Sequence, residues 1–119
     1  MDELQATRSF AALSQETRLR IVRTLVKAGD EGVPAGVIAD TVGVTASNVS
    51  FHLKELQRAG LVSMRREARS IIYAAAYSAL GNLIRFLMQD CCDGHPEVCT
   101  PALAACCAPQ PKRKKPVRA

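Results

Sequence analysis

The first 90 residues of this 119-residue chain contain no cysteine, and the whole chain has only two histidines, His52 and His95. That scarcity excludes a thiolate metal site or a cysteine redox centre from most of the protein. No apolar run reaches the roughly 18 residues that a membrane-spanning helix needs. The opening Met1-Asp2-Glu3 is acidic and leads into a mixed helical pattern, unlike a secretory signal, so the chain is expected in the cytoplasm. There is no phosphate loop, no pair of carboxylates for acid–base work and no Cys/His/Asp arrangement to place, so an enzyme is not expected. Internal repeats are also lacking.

What the chain does have suits one domain with one core: 48% hydrophobic and 23% charged residues. Its net charge of +5 is unevenly spread. Lys112, Arg113, Lys114, Lys115 and Arg118 account for the whole excess, and the body before them is balanced. Within the body, residues 41–75 carry Lys54, Arg58, Arg65, Arg66 and Arg69 against Glu55 and Glu67. A polyanion is expected to dock there. The terminal PKRKKPVRA either adds salt-sensitive attraction to phosphates or serves as a solubilising end.

Periodicity predicts five helices. The first spans residues 2–13, with Ala6, Phe10 and Leu13 on one side. Ser14 is a candidate N-cap for a second, over about 15–28, whose apolar stripe comprises Leu19, Ile21, Val22, Leu25 and Val26. Gly29, Asp30 and Glu31 stop it. Pro34 suits the first turn of a short third helix ending near Val42. Gly43 then forms a tight turn, and Thr45 is the candidate N-cap of a fourth helix that ends at Ala59-Gly60. The period changes to that of strands over residues 61–66 and 70–75, around the polar Glu67-Ala68-Arg69. A fifth helix is expected over about 76–90. Leu80, Leu83, Ile84 and Leu87 share one face, which Cys91 continues. Beyond Asp93, glycine, prolines and the basic run indicate loop and tail. The expected division is a domain over 1–92 and a cysteine-containing loop and tail over 93–119.

A short helix, a turn and a longer helix followed by a basic hairpin make a winged helix-turn-helix, a mainly α fold with a β-hairpin wing (α+β). In the fourth helix Val49, Leu53 and Leu56 face inward, leaving Ser47, Asn48, Ser50, Phe51 and Lys54 outward. Small polar residues near a helix N-terminus, with Thr45 among the expected contacts, can meet base edges and phosphates in the major groove. Arg65, Arg66 and Arg69 on the wing are expected to meet phosphates or the minor groove. Residues 8–75, particularly FAALSQETRLRIVRTL and VTASNVSFHLKELQRAGLV, resemble the ArsR/SmtB family of metal-responsive repressors. The resemblance implies a homodimer, built through the first and fifth helices, that sits on palindromic double-stranded operator DNA and leaves it when a toxic metal or metalloid binds. Gly81 suits a close helix approach. Ser50-Phe51-His52-Leu53 matches a Ser-X-His-Leu run of the family, and His52 is read either as a DNA contact or as a partly buried histidine bonded within the domain.

The family's best-known arsenic site uses cysteines at the start of the helix before the recognition helix, and here PAGVIADTVGV has none. A family zinc site on the last helix needs paired Asp/His and His/Glu ligands, which two histidines cannot supply. All five cysteines, Cys91, Cys92, Cys99, Cys106 and Cys107, lie within seventeen positions. Reduced, clustered thiols suit a soft ion. Trivalent arsenic and antimony favour three thiolates, and the expected ligands are Cys91, Cys92 and Cys99, with Gly94 and Pro96 letting the chain fold back. Cys106 and Cys107 are read as spare thiols, as alternatives to the first set or as ligands of a second ion. Other readings of the cluster are zinc held by three cysteines with His95 or by four cysteines, a disulfide switch through Cys99 or the later pair, and small buried apolar residues. Outside this class stand a constitutive DNA-binding protein and a metal-sequestering module.

Overall fold

A computed structural model describes residues 1–88. Helix α1, Glu3–Leu13, starts with a reciprocal cap: the Asp2 carboxylate accepts from the Gln5 amide at 2.8 Å, and the Gln5 side chain accepts from the Asp2 amide at 3.0 Å. The inner face of α1 is Ala6, Ser9 and Ala12, not the expected Ala6, Phe10 and Leu13. Small side chains there let α1 lie close against its neighbours, which rotates Phe10 outward to 40% exposure. Leu13 is half-buried against the core.

The N-cap expected at Ser14 falls instead on Gln15, whose side chain accepts from the Arg18 amide at 3.0 Å. The Ser14 hydroxyl is occupied closing α1, donating to the Ala11 carbonyl at 2.8 Å. Helix α2, Glu16–Ala28, buries Ile21, Val22 and Leu25. Leu19 and Val26, expected in the same stripe, are instead exposed, at 47% and 43%. Gly29 ends the helix at φ +81°, and a 3-10 turn, Gly29–Glu31, leads into Gly32.

Pro34 is extended rather than helical, at φ −64° and ψ 148°. Val33–Pro34 form a two-residue strand, β1, that sequence periodicity is too short to show. Helix α3, Ala35–Val42, ends at Gly43, whose left-handed backbone (φ +76°) makes the turn. Helix α4, Ala46–Arg58, begins at Thr45, whose hydroxyl accepts from the Asn48 amide at 3.1 Å. Thr45→Ala is expected to lower stability by about 1 kcal/mol, read as a lower urea midpoint at unchanged slope.

Strands β2, Val62–Glu67, and β3, Ser70–Ala75, pair antiparallel from Val62↔Ala75 to Glu67↔Ser70, so Glu67 belongs to the strand rather than the turn. The sheet order is β1-β3-β2, with Pro34 opposite Ile72. Ile21, Leu25, Ile38, Leu53, Leu56 and Leu61 are fully buried, so α2, α3 and α4 share one core with the base of the wing. The expected winged helix-turn-helix architecture is present.

Helix α5, Tyr77–Met88, is fixed at its start by the Tyr77 hydroxyl, which donates to the Val26 carbonyl at 2.7 Å. Of its expected apolar face, Leu83 is buried and Leu80 half-buried, whereas Ile84 and Leu87 remain more than half exposed. The helix end expected at Asp90, the boundary at 92/93, all five cysteines, His95 and the basic tail lie outside the described residues. Residues Met1–Phe86 form one compact unit.

Candidate nucleic-acid interface

Helical spacing divides α4 into two faces. Val49, Leu53 and Leu56 are buried, anchoring the helix on the core. Ser47, Ser50, Phe51 and Lys54 recur at i, i+3, i+4 and i+7, and all four are exposed on one stripe, with Asn48 exposed on its flank. Thr45 is exposed at the helix N-terminus and serves as its cap. These expected DNA contacts therefore come together on a single outward surface. A helix held this way can lay its polar face in a major groove without losing its packing.

Beside this stripe lies a cluster that bridges α2 and α4. The Arg18 Nε donates to His52 Nδ1 at 3.1 Å, and the Arg18 guanidinium carbon sits 5.7 Å from the Phe51 ring centroid. The Phe51 and His52 rings meet edge-on at 5.4 Å and 64°. His52 is half-buried and accepts a hydrogen bond within the domain, the geometry of the second reading offered for it. Arg18 is a participant that sequence reasoning missed, because 34 residues separate it from His52 and no local pattern links them.

Desolvation lowers the His52 pKa from its ordinary value of 6.5, and the nearby Arg18 charge pushes the same way. The neutral imidazole is thus the form that the fold prefers. Below 6.5 the unfolded chain takes up the proton more readily than the folded one, so the contribution of His52 is present above 6.5 and is lost as pH falls through its lower folded-state value. Protonated Nδ1 can no longer accept from Arg18. Wild-type stability is expected to fall more steeply with acidification than that of His52→Asn, compared by urea unfolding from about pH 7.5 to about pH 5. Parallel pH profiles would show that His52 does not carry this dependence.

On the wing, Arg65 is held within the domain. Its guanidinium pairs with Glu67 at 2.8 Å and donates to the carbonyls of Glu31 at 2.8 Å and Asp30 at 3.4 Å. Arg66 and Arg69 are exposed, and among the described residues neither is engaged in an ion pair. The wing thus offers two outward cations close to its tip, while Arg65, beside Arg66 on β2, ties the hairpin to the turn after α2. Among the described residues no group of three or more His, Cys, Asp or Glu side chains converges to hold a metal, and no helix is long and apolar enough to cross a membrane.

Residues 13–65 match the helix-turn-helix domain family. By sequence, the chain is similar to the HTH-type transcriptional regulator CmtR of Mycobacterium tuberculosis, with 38% identity over 89 residues that cover 75% of this chain and 73% of that protein. By structure, it is similar to an ArsR-like transcriptional regulator from Rhodococcus sp. RHA1, with TM-score 0.67 and 28% identity, covering 87% of this chain and 92% of that one. It is also similar to the homodimeric winged helix-turn-helix DNA-binding domain Mb0332 of Mycobacterium bovis, with TM-score 0.60 and 30% identity, covering 78% of this chain and 82% of that one.

Proposed function

The chain belongs to the ArsR/SmtB-like family of helix-turn-helix transcriptional regulators, and on that premise we propose that it is a homodimeric repressor, released from a palindromic operator when trivalent arsenic or antimony is bound by Cys91, Cys92 and Cys99. The observation that carries the sensing part is the placing of every thiol of the chain between residues 91 and 107, directly after α5. Three thiolates suit a soft, thiophilic ion, and Cys91 and Cys92 follow the helix closely enough to transmit a change to it. For the dimer, the support is apolar surface that this fold leaves outside: Leu4 and Phe10 on α1, and Ile84 on α5.

In this reading the DNA is held by Ser47, Asn48, Ser50, Phe51 and Lys54 of α4, with Arg66 and Arg69 of the wing on the backbone. The brace at Arg65 ties the wing to the turn after α2. Drawing Cys99 onto Cys91 and Cys92 reorders the chain after α5 and alters the separation of the two recognition helices. Half-sites about 34–36 Å apart tolerate little error in that separation.

The test is an arsenite titration of the reduced full-length protein on its own upstream DNA, followed by fluorescence anisotropy. Release near one ion per protomer is expected. Unchanged DNA affinity across the titration would sink the metalloid reading, and release by zinc or peroxide alone would move the sensing chemistry to those agents.

A further inference from the structure

The outward stripe of α4 is polar except at one place. Ser47, Ser50 and Lys54 surround Phe51, whose side chain is 55% exposed. The ring is not loose. Arg18 lies over one face of it and the His52 ring sits against it in a T-shaped contact, and the hydrogen bond from Arg18 to His52 ties the two neighbours to each other. An aromatic group fixed in this way loses little further freedom when it docks.

A phenyl ring neither donates nor accepts a hydrogen bond. Set against a polar base edge, it would leave that edge desolvated and unpaired, at a cost. In the major groove thymine presents an apolar group, its C5 methyl, and phenylalanine is one of the side chains suited to meet it. We infer that Phe51 reads the C5 methyl of a thymine in each half-site, with Arg18 as the positioning residue that holds the ring. The inference rests on the DNA-binding reading of α4 and adds to it the base that this helix selects.

The experiment uses the full-length reduced protein to retain sequences from a randomised duplex pool. The retained DNA is then resynthesised with each thymine in turn replaced by deoxyuridine, which removes only the methyl group. One position per half-site is expected to lose about fourfold in affinity on that change, the factor that burying one methyl-sized group supplies. Phe51→Ser is expected to bind the thymine and uracil duplexes equally, and its fold is checked by circular dichroism. Arg18→Lys keeps a cation but not the planar cover, and is expected to lower the thymine-to-uracil ratio while leaving the salt dependence of binding as in the wild type. If the wild type treats uracil and thymine alike at every position, or Phe51→Ser keeps the full ratio, the assignment of Phe51 is overturned. An undiminished ratio in Arg18→Lys overturns the positioning role. Retention of no sequence at all would instead defeat the DNA-binding reading beneath it.

Discussion

Gly32→Ala is expected to destabilise the protein by about 2–5 kcal/mol, the sum of a left-handed backbone and an overfilled site. Gly32 sits at φ +75°, and a Cβ there would lie 2.6 Å from the Tyr73 carbonyl oxygen and 2.7 Å from Ile72 Cγ2. Neither atom can yield easily. Both belong to β3, the middle strand of the sheet, and Ile72 is buried. A shift of β3 would disturb its pairing with β1 on one side and β2 on the other. Gly36 in α3 is the natural control, since a Cβ there meets nothing within 4 Å. Gly36→Ala is expected to be stabilising by about 0.4–1 kcal/mol. Urea unfolding of the two variants side by side reads both values. A loss below about 1 kcal/mol for Gly32→Ala, the size of an ordinary substitution, would show that β3 has room to move.

Cys99→Ser is expected to bind operator DNA like the wild type and to stay bound in arsenite. In a working switch, a coupling of about 1–3 kcal/mol per site corresponds to a weakening of DNA affinity by about 5–150-fold. Removing the third sulfur leaves two thiolates that do not draw the distal chain back, so this factor should collapse toward one. Linkage supplies a second, independent readout: operator DNA must weaken arsenite binding to the wild type by the same factor, and that reciprocity should vanish in the variant. Cys106→Ser with Cys107→Ser is expected to leave both readouts in place. Induction that survives Cys99→Ser would end this mechanism, whatever happens at Cys91 and Cys92.

The parts of this fold that were legible in advance are those written in local, short-range chemistry. Thr45 as a cap, Gly43 as a tight turn, and Val49, Leu53 and Leu56 as the inner face of α4 all follow from residues acting within one or two helical turns. The outward stripe of α4 followed as the remainder. What was not legible depends on partners distant in the chain. Pro34 reads as a helix start because its pairing with Ile72, 38 positions later, leaves no trace in its neighbours. Phe10 looks like core on α1 by its helical spacing from Ala6 and Leu13, until the close approach of Ala6, Ser9 and Ala12 to the rest of the domain turns it away. The same limit hid Arg18, and it hid the hydrogen bonds from Arg65 to the Glu31 and Asp30 carbonyls.

That commitment of Arg65 has an engineering consequence. A hairpin clamped through one guanidinium at the fourth residue of β2 is a cantilever, with its fulcrum at the turn after α2 and its free end at Ala68 and Arg69. Ala68, at φ +55°, already occupies a conformation that glycine or asparagine would hold with less strain. The tip therefore marks the place where the hairpin can be lengthened, or made to carry a fluorophore, without unseating the core, and a probe attached there would register the approach of a second macromolecule directly.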